Sequence, residues 1–174
     1  DMCVAMTAIG AQVTVQGPNG VREIPFSDFH LLPGQTPWLE HALQPHELIT
    51  HVTLDAPLAN SRSAYLKLRD RDSYQFALAS SAVIVVMDGQ RIAEARIALG
   101  GVATKPWRAR DAERALVGQN ADRGVFTQVG NDAPVDAMSV HDDLALGGLA
   151  EHLGQAHHRD GPTRNHVGEH LAGT

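Results

Sequence analysis

The 174-residue sequence predicts an α+β fold in which short strands come first and helices follow. Three observations carry that prediction. The Gly17-Pro18-Asn19-Gly20 and Asp88-Gly89 pairs of turn signals each sit between segments with strand character, and consecutive strands with short links pair antiparallel. An apolar run at 77–87 is long enough for a buried strand. Residues 109–117 then carry helical periodicity and stop at Gly118.

In order along the chain, residues 1–10 (DMCVAMTAIG) read as a short helix with Asp1 as its N-cap. A chain seldom begins on a helix cap, so the sequence reads as part of a longer polypeptide. Residues 11–16 alternate as a strand and 21–25 return after the turn. Residues 26–45 are rich in Pro, Gly and His and therefore irregular, with Phe29, Leu31, Leu32 and Trp38 as packing anchors. A strand is expected at 47–54, closed by Ala56-Pro57, and further strands at 63–69, 78–87 and 91–99. Beyond about residue 120 the character changes. Six of the ten histidines lie there, no lysine follows Lys105, and glycines interrupt each candidate helix. Residues 144–153 have helical spacing, but Gly147-Gly148 in their middle costs about 1 kcal/mol each relative to Ala. Residues 129–174 are expected to be a poorly ordered tail.

Composition bounds the function. At 43% apolar and 20% charged residues the chain can bury a real core. A net charge of −6 without a clustered basic face argues against a nucleic-acid partner. No stretch reaches eighteen apolar residues, the length a membrane-crossing helix requires. Cys3 is the only cysteine, which excludes an internal disulfide and any cysteine-ligated iron–sulfur or zinc site within the chain. The compartment stays open between cytoplasm and bacterial periplasm.

Several chemistries can be weighed from motifs. The histidines at 152, 157, 158, 166 and 170 suggest metal, but the His166-Val-Gly-Glu-His170 spacing departs from the zincin pattern, and a solvated tail accounts for them. No Gly-x-Ser-x-Gly elbow, no strand-linked Gly-x-Gly-x-x-Gly and no P-loop occurs. Gly100-Gly101 after a strand reads as a close backbone approach rather than a phosphate cradle. Lys67, one of two lysines, stands mid-strand with Tyr65 and Arg69 on one face and Leu66 and Leu68 on the other. That face suits an anionic or aromatic ligand, and the plain alternative is a solvated sheet face. The Arg69-Asp70-Arg71-Asp72 corner reads as mutually paired charges. Tyr74 and Phe76, which follow it, can each cover a planar ligand or fill a core.

Several stretches together resemble one family. They are Ser63 to Ala77 (SAYLKLRDRDSYQFA), the run 97–109 (IALGGVATKPWRA), Leu31-Leu32-Pro33-Gly34 and Pro45-His46-Glu47-Leu48-Ile49. In order and spacing they are similar to the FAD-binding medium subunit of the xanthine dehydrogenase / carbon monoxide dehydrogenase molybdenum hydroxylases, in its bacterial aldehyde oxidoreductase form. The resemblance runs from Asp1 to about Gly118. It implies the end of the second lobe of a flavin-binding domain at 1–58, and at 59–128 a small domain of a three-stranded antiparallel sheet plus helices. It implies FAD as cofactor, with contacts at Asp1, Ile49 and Lys67, and Tyr74 or Phe76 over the isoalloxazine ring. The molybdenum cofactor and 2Fe–2S clusters would lie on partner subunits, an iron–sulfur subunit and a molybdenum subunit. Electrons would pass through the clusters to FAD and on to an external acceptor, and a cation at Lys67 would favour the reduced, anionic flavin.

Two departures accompany the resemblance. The family's N-terminal glycine-rich flavin loop has no counterpart in this sequence, so only a partial site is expected. Residues 129–174 lack the family's Ala- and Leu-rich helices, and their composition is what a reading-frame change in a GC-rich gene produces. The competing reading is a non-catalytic docking module for the iron–sulfur subunit that no longer binds FAD.

Overall fold

The computed structural model of the chain describes residues 1–71 and 74–132. Expectations for the sequence beyond 132, the histidine tract included, fall outside the described residues. The elements run as helix α1 (Met2–Ile9), strands β1 (Gln12–Gly17) and β2 (Gly20–Pro25), a single turn α2 (Phe26–Phe29), and strands β3 (Leu48–Thr53), β4 (Ser61–Leu68), β5 (Ala79–Asp88), β6 (Arg91–Gly100) and β7 (Trp107–Arg108). Helices α3 (Arg110–Leu116) and α4 (Arg123–Asp132) follow.

Two antiparallel sheets result, one in the order β2-β1-β3 and one in the order β4-β5-β6-β7. The first hairpin closes with Gly17 opposite Gly20, so Pro18-Asn19 form its two-residue loop, and Gly20 takes the positive φ of 105° that a β-carbon disfavours. The second hairpin corrects the sequence reading by one residue. Asp88 pairs with Arg91, so the loop is Gly89-Gln90, after a register shift between Val86 and Met87. A strand irregularity of this kind is invisible to a dipeptide rule. The sheet expected to have three strands carries a fourth, because Trp107 and Arg108 pair with Leu99 and Ala98.

The β5–β6 ribbon separates two packing layers by strand alternation. One face presents Val83, Val85, Ala95, Ile97 and Leu99 to Ala112 and Leu116 of α3, with Val125, Phe126 and Val129 of α4 packed alongside. Helix α4 forms although glycines interrupt it, and it runs to Asp132, three residues past Val129. Its Gly124 and Gly130 are accepted because the apolar residues between them have a core to cover, the usual source of helix stability in proteins. The other face presents Ala82 and Ala98 to Val4 and Ala8 of α1. These small residues allow α1 to lie close against the sheet.

The first sheet has a separate core of Ala11, Val13, Val15, Ile24, Phe26 and Phe29, extended by Met6, Ala42 and Leu43. Of the four anchors expected between 26 and 45, only Phe29 is buried. Leu31, Leu32 and Trp38 are exposed, and Phe26 fills the role instead. The segment is tied down by polar contacts rather than by those apolar side chains. Arg22 donates to both carboxylate oxygens of Glu47, each at 2.7 Å, and to Ala42 O at 2.8 Å, while Gln44 N donates to Glu47 Oε2. The Arg22 hydrogen bonds and the Gln44 amide hold the Glu47 carboxyl down at about 2.

Cations of the second sheet and of the loop between β6 and β7 bind backbone carbonyls of the first thirty residues. Arg96 donates to Ile9 O at 2.7 Å, Arg108 to Thr7 O at 3.2 Å, and Lys105 to Ser27 O and His30 O, both at 3.2 Å. Two of these contacts satisfy carbonyls in the last turn of α1, where a positive charge also complements the helix dipole. Arg108 is held in turn by Glu113, whose carboxylate is buried and also accepts the Ile97 amide at 2.7 Å.

Candidate functional site

The site is built around one end of the β4–β5 hairpin. Register places Tyr65 opposite Ala82 and Lys67 opposite Ser80, and Ser80 faces Gly100 across the next ladder. Tyr65 and Lys67 therefore share the face on which α1 lies, as the alternation of the sequence anticipates. Gly100 brings the start of α1 close. A β-carbon there would stand 2.6 Å from Val4 Cγ2 and 2.6 Å from Ser80 Oγ, closer than side chains pack. Gly101 has φ +84°, and a β-carbon on it would meet Leu78 O at 2.4 Å. Both glycines are thus close-approach residues, the structural reading of the pair.

With the first turn of α1 seated this way, the Asp1 side chain reaches β4. Its carboxylate accepts Lys67 Nζ at 2.6 Å and the Tyr65 hydroxyl at 3.2 Å. Sequence rules make Asp1 the cap of α1, and it does occupy the N-cap position. Yet its side chain makes no capping bond, and only its backbone carbonyl accepts from the Val4 and Ala5 amides. Its carboxylate instead pairs with a full positive charge on Lys67. The Lys67 side chain keeps 22% of its exposure, so it is not fully enclosed. Three donors on Nζ with one engaged by Asp1 leave capacity for a ligand.

Beyond Leu68 the hairpin connection carries Tyr74 and Phe76. Leu78 N donates to Leu68 O and closes that connection at its base. Both rings are almost wholly in solvent, at 98% and 95% exposure, so the core reading of these residues does not hold. Of the charged corner, Asp72 lies outside the described residues, so the pairing there is described only in part, and Arg71 donates to Tyr74 O at 2.7 Å. Gln75 organises it: its Oε1 accepts the Asp70 and Arg71 amides at 3.0 and 2.9 Å, and its Nε2 donates to Asp70 Oδ2 at 3.3 Å. No sequence signal pointed to Gln75, because a single glutamine in a loop carries no periodicity.

Ile49 stands apart from this cluster in sequence and in sheet. It lies on β3, opposite Val15, in a strand whose six residues are all exposed. The structure therefore brings Asp1 and Lys67 into direct contact, places Tyr74 and Phe76 on the loop that leaves the same strand end, and keeps Ile49 on the other sheet. Among the described residues there is no group of three side chains able to hold a metal ion, and no helix is long and apolar enough to cross a membrane.

Comparison with known proteins gives this geometry a context. Residues 63–151 match the CO dehydrogenase flavoprotein C-terminal domain, and residues 1–57 match the FAD binding domain in molybdopterin dehydrogenase. The chain belongs to the FAD-binding medium-subunit family of the molybdenum hydroxylases. It is 49% identical over 117 residues to the aldehyde oxidoreductase FAD-binding subunit PaoB of Escherichia coli K12, covering 67% of this chain and 35% of that protein. It is 32% identical over 123 residues to the carbon monoxide dehydrogenase medium chain of Afipia carboxidovorans, covering 71% of this chain and 41% of that one. The chain thus spans well under half the length of these relatives. Among solved structures, reconstituted CO dehydrogenase from Oligotropha carboxidovorans superposes with a TM-score of 0.71 at 26% identity, over 91% of this chain and 54% of that chain. Quinoline 2-oxidoreductase from Pseudomonas putida 86 gives 0.64 at 26% identity, over 90% and 52%. Members of this family are subunits of oxidoreductases, and the mixed architecture of two antiparallel sheets with helices is theirs.

Proposed function

We propose that this chain forms part of the FAD-binding subunit of a molybdenum hydroxylase of the xanthine dehydrogenase / aldehyde oxidoreductase type, working with an iron–sulfur subunit and a molybdenum subunit. Asp1, Ile49, Lys67, Tyr74 and Phe76 line one side of the flavin in this reading. When bound, FAD supplies the redox chemistry, receiving electrons by way of the iron–sulfur clusters and giving them to an external acceptor. The observation that carries the reading is the convergence of Asp1 and Lys67 at the strand end that also bears the two exposed rings.

The donor set suits such a ligand. A flavin is planar and aromatic with a polar edge, and the cluster offers one cation, one hydroxyl and two uncovered aromatic faces. Lys67 supplies the charge, and the Asp1 carboxylate fixes where its ammonium sits. Tyr65 shares the Asp1 negative charge, which leaves Lys67 more of its own field for a ligand. Tyr74 and Phe76 exclude water from whatever they cover.

Titration of a full-length family member with FAD, followed by flavin fluorescence, tests this at the lysine that corresponds to Lys67. The change equivalent to Lys67→Ala should weaken binding by about 1–3 kcal/mol, the scale of a lost hydrogen bond to a charged group. Equal affinity of the two proteins would refute the assignment of Lys67.

A further inference from the structure

We infer that His30, independently of any flavin, works as an acid-sensitive latch: its protonation releases the strap 31–41 and, with it, the Lys105 clasp between the two sheets. The strap is the irregular segment that leaves α2 and returns beside it. His30 and His41 pair as an antiparallel bridge at its base. There Leu31 N donates to Glu40 O at 3.0 Å, and Ala42 N to Phe29 O at 2.8 Å. The His30 ring stands edge-on to two rings of the first sheet's core, its centroid 5.3 Å from that of Phe26 and 5.2 Å from that of Phe29. Phe29 in turn stacks on His41 at 6.0 Å. The His30 backbone carbonyl accepts Lys105 Nζ from the loop between β6 and β7, and so does Ser27 O. One residue thus joins the core by its ring, the strap by its backbone pairing and the second sheet by its carbonyl.

Protonation strikes at the ring. His30 Nδ1 is buried and has no hydrogen-bond partner among the described residues. An imidazolium carries N–H groups on both nitrogens, so charging the ring creates a buried donor with no acceptor in place. The surrounding charges add to that cost. Lys105 from the loop and His41 from the far arm of the strap both oppose a positive charge on the ring. The acid nearest in sequence, Asp28 on α2, accepts instead from the Ser27 hydroxyl at 3.3 Å. Phenyl faces attract a cation only weakly at a partly exposed site and supply no acceptor. Burial first, then Lys105 and His41, hold His30 below its ordinary value of 6.5. A base that protonates less readily in the closed state than in the open one stabilises the closed state above 6.5. That stability drains away as pH falls below it.

Amide hydrogen exchange of the full chain tests this, with each protection factor corrected for the intrinsic pH dependence of exchange. Lowering the pH from about 7.5 to about 5.5 should reduce the protection of the Leu31 and Ala42 amides roughly 3- to 10-fold. Linkage to a free imidazole at 6.5 caps the effect near about 10-fold one unit below that value. Amides of the β5–β6 ladder should change by less than roughly 2-fold. The range stays above 4.5, where the Glu47 carboxyl begins to matter. His30→Phe and His30→Gln both remove the titration, and the first keeps a ring against Phe26 and Phe29. In each, the strap amides should lose their pH dependence. Lys105→Gln keeps a donor for the two carbonyls without the charge and should shrink the drop. Strap amides that keep their protection at about pH 5.5 overturn the latch, as do strap amides with no protection at about pH 7.5. An undiminished drop in Lys105→Gln, or a drop that persists in a His30 variant whose strap is protected at neutral pH, assigns the acid response to other groups and overturns it too.

Discussion

Replacing Gly100 by alanine tests how the sheet sets the position of the site. The new β-carbon would sit 2.6 Å from Val4 Cγ2 and 2.6 Å from Ser80 Oγ. Carbon atoms prefer about 3.5–4.0 Å, so the valine must retreat by roughly 1 Å. Ser80 can rotate its hydroxyl away, whereas Val4 is β-branched and stiff about its first torsion in a helix. The strain therefore falls on the seating of α1 against Ala82 and Ala98. Overpacking of this kind costs about 1–3 kcal/mol, and replacing a strand glycine returns about 0.5–1 kcal/mol. A net loss of about 1–2 kcal/mol is expected, read as a lower urea midpoint at unchanged slope. Because Asp1 rides on the same turn, the variant should also loosen the Asp1–Lys67 contact. Val4→Ala in the Gly100→Ala background should recover part of the loss, with a coupling of about 0.5–2 kcal/mol between the two sites. A Gly100→Ala protein as stable as the wild type, or one whose loss is additive with that of Val4→Ala, would refute the close-approach argument.

Two further perturbations probe the clasps around this site. Glu113→Ala leaves the Ile97 amide without this acceptor and the Arg108 guanidinium with only the Thr7 carbonyl, and should destabilise by about 3 kcal/mol in urea unfolding, with Glu113→Gln costing less because an acceptor remains. Glu47 gives a pH signature: its folded carboxyl is depressed from 4.5 to about 2, so the stability it adds is present above the unfolded value and drains away as pH falls from 4.5 towards 2. Melting temperatures of wild type and Glu47→Gln should therefore converge across that window. Parallel curves there would exclude the Arg22–Glu47 clasp as the source.

Much of this fold is legible in the sequence because strand pairing here is mostly local. The Gly-Pro-Asn-Gly and Asp-Gly signals sit within a residue of the observed loops, and β5 and β6 start and stop within one residue of the strands expected at 78–87 and 91–99. What escaped reading depends on contacts between distant residues. Helix α4 exists because Phe126 and Val129 have the α3–sheet core to cover, which no local rule reveals through Gly124 and Gly130. Strand β7 is two residues long and owes its existence to the edge of β6. The exposure of Leu31, Leu32 and Trp38 follows from a segment held by Arg22 and Glu47 instead of by its apolar side chains. At the site, the shared face of Tyr65 and Lys67 follows from period-two alternation. The carboxylate that meets them belongs to a residue 64 and 66 positions away, and helix-capping rules assigned it a different task. Gln75 was silent because its partners are two backbone amides and one carboxylate, none of which leaves a pattern in a sequence.

The hold that Arg96 and Arg108 exert on the carbonyls of Ile9 and Thr7 bears on how the chain acquires its shape during synthesis. An eight-residue helix is marginal in water without tertiary support. Its support comes from Ala82, Ala98 and two guanidiniums, all emerging some 75 to 100 residues later. At cellular elongation rates of about 5–20 residues per second, that delay is roughly 4–20 s. Of the described elements, the helix that carries Asp1 is thus the earliest translated and among the last fixed. Until the ribosome has passed Arg108, the carboxylate that meets Lys67 and Tyr65 has no defined address.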